Sequence, residues 1–180
     1  MERSSLRAKR LAFWPILLVV VLADVVTKML AVRHLSDPYE PHRVFGSDLV
    51  RLTLAYNRGA AFSMDFGPMS NKLFLGLAMV ALCVLAVVYR NTKPHDVTRA
   101  LALGLVCAGA VGNVLDRLAP RSQGVVDFID IGLGTTRFYT FNLADVGVSV
   151  GALLLACALW REDREVGDEQ APVLQESGTS

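Results

Sequence analysis

The chain alternates between apolar runs and polar connectors. Leu11 to Val32 is the first apolar run, interrupted by Asp24 and Lys28, and Leu73 to Tyr89 is a clean second run. Ala100 to Leu115 is the third, and Phe141 to Trp160, carrying Asn142 and Asp145, is the fourth. Crossing the hydrocarbon core takes roughly 20 residues of helix. In lipid, backbone polar groups must be paired within their own segment, which favours helices. The pattern therefore predicts four membrane-spanning helices, the two shorter runs being extended by flanking residues such as Lys72 and Val97. The segments Leu49 to Phe62 and Val125 to Phe141 hold β-favouring residues and glycine turns, in connectors long enough to carry structure of their own. The expected fold class is an all-α membrane protein with four transmembrane helices and a small extracytoplasmic β-element. Residues 1–10 read as a cytoplasmic N-terminus, 11–160 as the helical domain, and 161–180, acidic and poor in large apolar residues, as a disordered cytoplasmic tail.

Composition agrees with a membrane protein. Of 180 residues 53% are hydrophobic and only 19% charged, with mean hydropathy +0.42; a soluble domain carries more charge. Nothing in a net charge of +1 points to nucleic acid. Cys83, Cys107 and Cys157 each sit in an apolar run without C-x-x-C spacing, and read as small buried hydrophobes. His34, His42 and His95 form no H-E-x-x-H, so a zinc protease finds no support. The first run has a basic n-region, like a signal peptide. No small-x-small cleavage site follows, and an uncleaved first helix is expected.

Lysine and arginine set the orientation, because cytoplasmic loops are enriched in them. The first ten residues hold four, and the connector from Arg90 to Arg99 holds three in ten. The connector from Arg33 to Lys72 holds five in forty, along with four acidic residues. Both termini and the middle connector are therefore expected in the cytoplasm, and both long connectors outside.

On this plan the intramembrane polar residues share one depth, in the outer leaflet. Asp24 lies about 20 Å up the first helix, with Lys28 one turn higher on the same face. Asn113, Asp116 and Arg117 close the outer end of the third helix, and Asn142 and Asp145 open the fourth. Asp127 lies in the outer connector between these two helices, and Asn57 in the connector between the first two. An ionisable residue in the membrane costs about 2.5–3.5 kcal/mol to insert and marks a functional site by default. Each also has a structural reading. Asp24 and Lys28 can neutralise each other as an i, i+4 pair. Asp116 and Arg117 can be a solvated helix end. The two asparagines can be interhelical hydrogen-bonding groups, and Asp145 can act as a cap near a helix N-terminus.

Four strings carry more than this: DVVTK at 24–28, YNRGAAFS at 56–63, GNVLDR at 112–117 with VVDF at 125–128, and FNLADVGVSVG at 141–151. In this order, on a four-span plan, they make the chain resemble the lipoprotein signal peptidases (signal peptidase II), an aspartic protease family, from roughly Phe13 to Trp160. The resemblance implies a hydrolase of the bacterial cytoplasmic membrane. It would cut the signal peptide of a prolipoprotein on the N-terminal side of the diacylglyceryl-modified cysteine, with its active site at the outer leaflet. By motif the catalytic pair maps onto Asp127 and Asp145, and Asp24, Lys28, Asn57, Gly59, Asn113, Asp116, Arg117 and Asn142 onto positions that shape or support the site. It implies no metal and no cofactor. The implied partners are the diacylglyceryl prolipoprotein and membrane lipid, with no nucleic acid, and the enzyme is read as a monomer.

Two carboxylates held close together cannot both ionise easily, so one keeps a proton while the other serves as base toward a shared water. The titration belongs to the pair, and the sequence assigns the proton to neither. Two other chemistries are weaker. Gly147-Val148-Ser149-Val150-Gly151 matches G-x-S-x-G, but within an apolar helix rather than at a strand–turn–helix elbow, so its small residues read as a close-packing face. A serine–lysine dyad would need Ser63 or Ser70 near Lys28 or Lys72, and no spacing fixes that. A small transporter or proton relay would use Asp24, Lys28 and Asp145, yet it would also place ionisable groups in the inner half of the bilayer. A purely structural adaptor leaves the outer carboxylates without a purpose.

Overall fold

The computed structural model of the chain describes residues 2–35, 37–44, 46–59, 69–119 and 123–170. Four helices carry it: α1 (Glu2–His34), α2 (Ser70–Asn91), α3 (Val97–Leu118) and α4 (Leu143–Gln170). All four are long and apolar enough to span a membrane, the candidate spans being Arg3–His34, Ser70–Asn91, Val97–Leu118 and Leu143–Glu162. α1 starts nine residues before the apolar run and, at 33 residues, is about 50 Å long, so it outreaches a ~30 Å hydrocarbon core. α4 continues through the stretch read as a disordered tail as far as Gln170; residues 171–180 lie outside the described residues.

α3 is the central helix, in contact with each of the other three. Half of its apolar window is buried inside the protein, against none for α2. Small residues let the others approach. Gly151 of α4 faces the Ala102 carbonyl so closely that a Cβ there would sit 2.8 Å from it. The G-x-S-x-G string is thus part of the α3–α4 contact, deep in a helix. At the opposite end from the sheet, Lys9 ties α1 to the C-terminus of α2: its Nζ donates to the Thr92 carbonyl at 2.6 Å and lies 4.6 Å over the Tyr89 ring. An ammonium is favoured there by the helix dipole. Of the cysteines, Cys107 is buried, but Cys83 and Cys157 are exposed on the apolar outer surface of the bundle. The expectation that all three are buried is corrected, because a membrane helix turns apolar residues outward as well as inward.

The β-element is a four-stranded antiparallel sheet in the order β1-β2-β3-β4, formed by His42–Val44, Ser47–Asn57, Val125–Leu133 and Thr136–Arg137. β2 and β3 pair in a register that sets Ala55 opposite Asp127 and Asn57 opposite Val125, with an irregularity between Leu52 and Ala55. β1 lies in a loop for which the sequence offered no element. Leu54 of β2 and Phe128 of β3 dock on Ala31 and Leu35 at the end of α1, forming the core under the sheet. A second tie decides the site. The Ile129 N–H donates to the Phe141 carbonyl at 2.8 Å, and the Phe141 N–H returns to the Ile129 carbonyl at 3.0 Å. Asp127, two residues before Ile129, is thereby held over the start of α4.

Candidate active site

α4 begins with a reciprocal cap. Asn142 Oδ1 accepts the Asp145 N–H at 3.0 Å, and Asp145 Oδ2 accepts the Asn142 N–H at 3.2 Å. This is the capping-box arrangement, with a carboxylate at the third helical position. Between them in sequence, the Ala144 N–H donates to Asp24 Oδ1 of α1 at 2.8 Å. The orphan N–H groups of the helix start thus hold two carboxylates from different parts of the chain.

Asn142 also reaches the third. Its buried side-chain amide donates to Asp127 Oδ1 at 2.6 Å and to Asn113 Oδ1 at 3.2 Å. Asn113 in turn donates to Asp145 Oδ1 at 2.8 Å. Asn57, at the end of β2, donates to Asp127 Oδ2 at 3.1 Å, and its own Oδ1 accepts the Gly59 N–H at 3.1 Å. Both Asp127 oxygens therefore accept from amides, and one asparagine serves both Asp127 and Asp145.

Behind this pair sits a buried ammonium. Lys28 Nζ lies 2.8 Å from Asp24 Oδ2, 2.8 Å from Asp116 Oδ2 and 3.1 Å from Asn113 Oδ1. Three acceptors match its three protons. Asp116 Oδ2 also accepts the Val126 N–H at 3.1 Å, pinning the start of β3 to the end of α3. Arg117 donates to the Asn113 carbonyl at 3.2 Å and to the Gly59 carbonyl at 3.3 Å.

Asp127 is 2% exposed. Burial raises its carboxyl pKa, the neighbouring Asp145 carboxylate raises it further, and the Asn57 and Asn142 amides oppose the rise; the result is about 7. A carboxyl poised there can hold a proton at neutral pH and give it up during a reaction.

The ten site residues picked from the sequence all fall in this one network, through the contacts just given. Several structural readings hold beside the functional one: Asp24 and Lys28 are an ion pair, the two asparagines join helices, and Asp145 does cap α4. Asp116 is no solvated end, since Lys28 and β3 engage it. Of the 56–63 string, residues 60–63 lie outside the described residues, and with them Ser63 of the serine–lysine alternative.

Gly112 escaped selection although it stands within GNVLDR. A Cβ there would collide with the Asp24 carboxylate and come within 3.2 Å of Ala144 Cβ. Its signal was a glycine inside a helix, one turn before Asp116. The main-chain donors of Ala144 and Val126 have no signal at all in side-chain identity. Gly112→Ala is expected to cost about 1–3 kcal/mol through overpacking, read as a lowered Tm in detergent. Gly76→Ala, with open space around it, should leave stability within about 0.5 kcal/mol of the parent. Equal behaviour of the two variants would show that the α1–α3 approach does not depend on Gly112.

Comparison with known proteins gives the same direction. Residues 16–161 match the family model described as signal peptidase (SPase) II. The chain is 37% identical over 155 residues to the lipoprotein signal peptidase of Hydrogenovibrio crunogenus, covering 84% of this chain and 86% of that one. It is 38% identical over 156 residues to that of Geobacter sulfurreducens, covering 84% and 93%. Two solved structures of bacterial membrane enzymes superpose with TM-scores of 0.72 and 0.68. They are 26% and 30% identical, the first covering 92% of both chains, the second 80% of this chain and 89% of the other. With four spanning helices, one small antiparallel sheet and a family match over most of its length, the chain belongs to the signal peptidase II family of membrane peptidases.

Proposed function

We propose that Asp127 and Asp145 are the catalytic pair with which this membrane peptidase removes the signal peptide of a prolipoprotein, on the N-terminal side of the diacylglyceryl-modified cysteine. One observation carries the assignment. Asn142 holds both carboxyl groups, Asp127 by its side-chain amide at 2.6 Å and Asp145 by its main-chain N–H at 3.2 Å. Two acids fixed by one residue can share a water.

Asp127, raised to about 7, carries the proton and donates to the scissile carbonyl oxygen. Asp145 takes a proton from the water, whose oxygen adds to the carbonyl carbon. The tetrahedral intermediate collapses by breaking the C–N bond. The departing nitrogen takes the proton held by Asp145, and Asp127 recovers its own, so the pair ends as it began. Asn57, Asn113 and Asn142 orient the carboxyls, and Asp24, Lys28 and Asp116 fix the helices that carry them. The acyl chains of the substrate stay in lipid while its peptide enters at the bilayer surface. Cleavage of a diacylglyceryl prolipoprotein by the purified protein in detergent tests the assignment directly: the released polypeptide should begin at the modified cysteine, and a new terminus elsewhere would overturn it.

The pH profile has a definite sign. The active form needs Asp127 protonated, so kcat/KM should fall tenfold per unit as pH rises above about 7. Asn57 donates to the ionised form and thereby lowers the pKa. In Asn57→Ala the alkaline limb should therefore move to higher pH, whatever happens to the maximum rate. A shift to lower pH would remove Asp127 as the acid.

We also place both termini in the cytoplasm and the sheet with the active site on the outer side, on the lysine and arginine distribution. In a variant free of native cysteines, Thr135→Cys at the β3–β4 turn should react with a membrane-impermeant reagent in intact cells, and His95→Cys only once the inner membrane is opened. The reverse pattern would invert the topology.

A further inference from the structure

A cavity of about 340 Å³ lies between the α2–α3 connector and α4, at the end of the bundle opposite the catalytic network. Lys93, His95, Asp96 and Arg99 line it from the connector and the first turn of α3, and Arg161 and Glu162 from α4. Lysine and arginine bring three formal positive charges against two negative ones. The two carboxylates are engaged by Arg99, with Lys93 at longer range, which leaves one formal positive charge in excess. Asp96 caps α3 by accepting the Arg99 N–H at 2.9 Å, and its other oxygen lies 3.1 Å from Arg99 Nε. Glu162 pairs with the Arg99 guanidinium and stands 3.6 Å from Lys93 Nζ. Lys93 is two-thirds exposed, and Arg161 is exposed on the α4 side.

The depth of the cavity says what can fill it. Trp160 is exposed next to Arg161, with the Arg164 guanidinium 4.3 Å over its ring, and an amphipathic aromatic of this kind sits at headgroup level. On the membrane side of that ring Leu153 of α4 is exposed and apolar, and Val97 of α3 and Ala158 of α4 give the cavity its apolar lining. A ligand seated there meets cations beside a small apolar lining, at headgroup depth.

We infer that this cavity binds the headgroup phosphate of an anionic phospholipid of the inner leaflet, with Lys93 and Arg161 contacting the phosphate. Basic pockets between transmembrane helices at the cytoplasmic surface suit such headgroups. The leaflet rests on the topology proposed above. The ligand chemistry does not, and binding is measured apart from catalysis.

The test is a titration of the full chain in detergent, followed by native mass spectrometry, with phosphatidylglycerol, phosphatidylcholine or inorganic phosphate. Phosphatidylglycerol should bind about tenfold or more tightly than phosphatidylcholine. The double variant Lys93→Gln/Arg161→Gln should lose about 30-fold in phosphatidylglycerol affinity, on the basis of two surface cations. Prolipoprotein cleavage in detergent should stay at the parent rate, which also establishes that the variant is folded. Arg161→Glu, a single exposed substitution, should weaken phosphatidylglycerol binding in the same direction. Equal binding of the two lipids, or unchanged binding in the variants, overturns the inference. Displacement of phosphatidylglycerol by inorganic phosphate at equal concentration would make the site a free-phosphate site, and overturns the lipid assignment.

Discussion

Asp127→Asn and Asp145→Asn should each lower prolipoprotein cleavage by about 10³-fold or more, with the protein still folded in the membrane. A positioned acid or base contributes typically 10²–10⁴-fold, and an amide can neither take nor give the proton at stake. The fold should survive for different reasons at the two positions. An amide in place of the Asp145 carboxylate keeps one carbonyl oxygen to accept from Asn113 or the Asn142 N–H, at the cost of the other contact. At position 127 an amide faces two amide donors, so one of its two contacts is lost. That loss is offset by removing a carboxyl from a buried site. Measured with purified protein, a rate within tenfold of the parent for either variant would take that residue out of the reaction. A large fall in Tm alongside lost activity would mark the residue as structural, so both quantities are needed.

Lys28→Met should be the most destabilising single substitution in the network, at about 3–5 kcal/mol. Removing one partner of a buried ion pair leaves the other charge uncompensated. Here two carboxylates are left, since Lys28 is 3% exposed and lies 2.8 Å from both Asp24 and Asp116. The strain is carried outward by main-chain contacts. Asp24 holds the Ala144 N–H at the start of α4, and Asp116 holds the Val126 N–H beside Asp127. Activity should therefore fall with stability, although Lys28 has no part in proton transfer. Lys28→Arg should rescue little, because a planar guanidinium cannot present three donors to three acceptors that converge on one atom. Asp24→Asn in the Lys28→Met background should recover part of the loss by removing one unpaired charge. Unfolding midpoints in mixed detergent measure both effects. A Lys28→Met protein as stable as the parent would show that the ammonium is dispensable.

The four spans were legible because lipid imposes a length and an apolar composition on any helix that crosses it, and that constraint is written residue by residue. The strands β2 and β3 showed in their β-branched and aromatic content, whereas β1, three residues long, has too little pattern to register. Site residues were legible for a related reason. A carboxylate or ammonium in an apolar run is costly enough that it needs a partner, so Asp24, Lys28 and Asp145 announced themselves by position alone. The motif strings added Asp127, which in a loop carries no such mark.

Tertiary structure decided which partner each group finds. Residue identity does not say that Asn142 serves two carboxyls, since that depends on the antiparallel tie between Ile129 and Phe141. Nor does it say that Lys28 bridges two aspartates, which needs Gly112 to let α1 and α3 close on each other. The main-chain amides of Ala144 and Val126 are present in every sequence and become specific only when a helix start or a strand start is brought against a buried oxygen. Span and cost are properties of the chain against its solvent, and so are fixed locally. Pairing and pKa depend on distance between segments far apart in sequence, and only packing sets that.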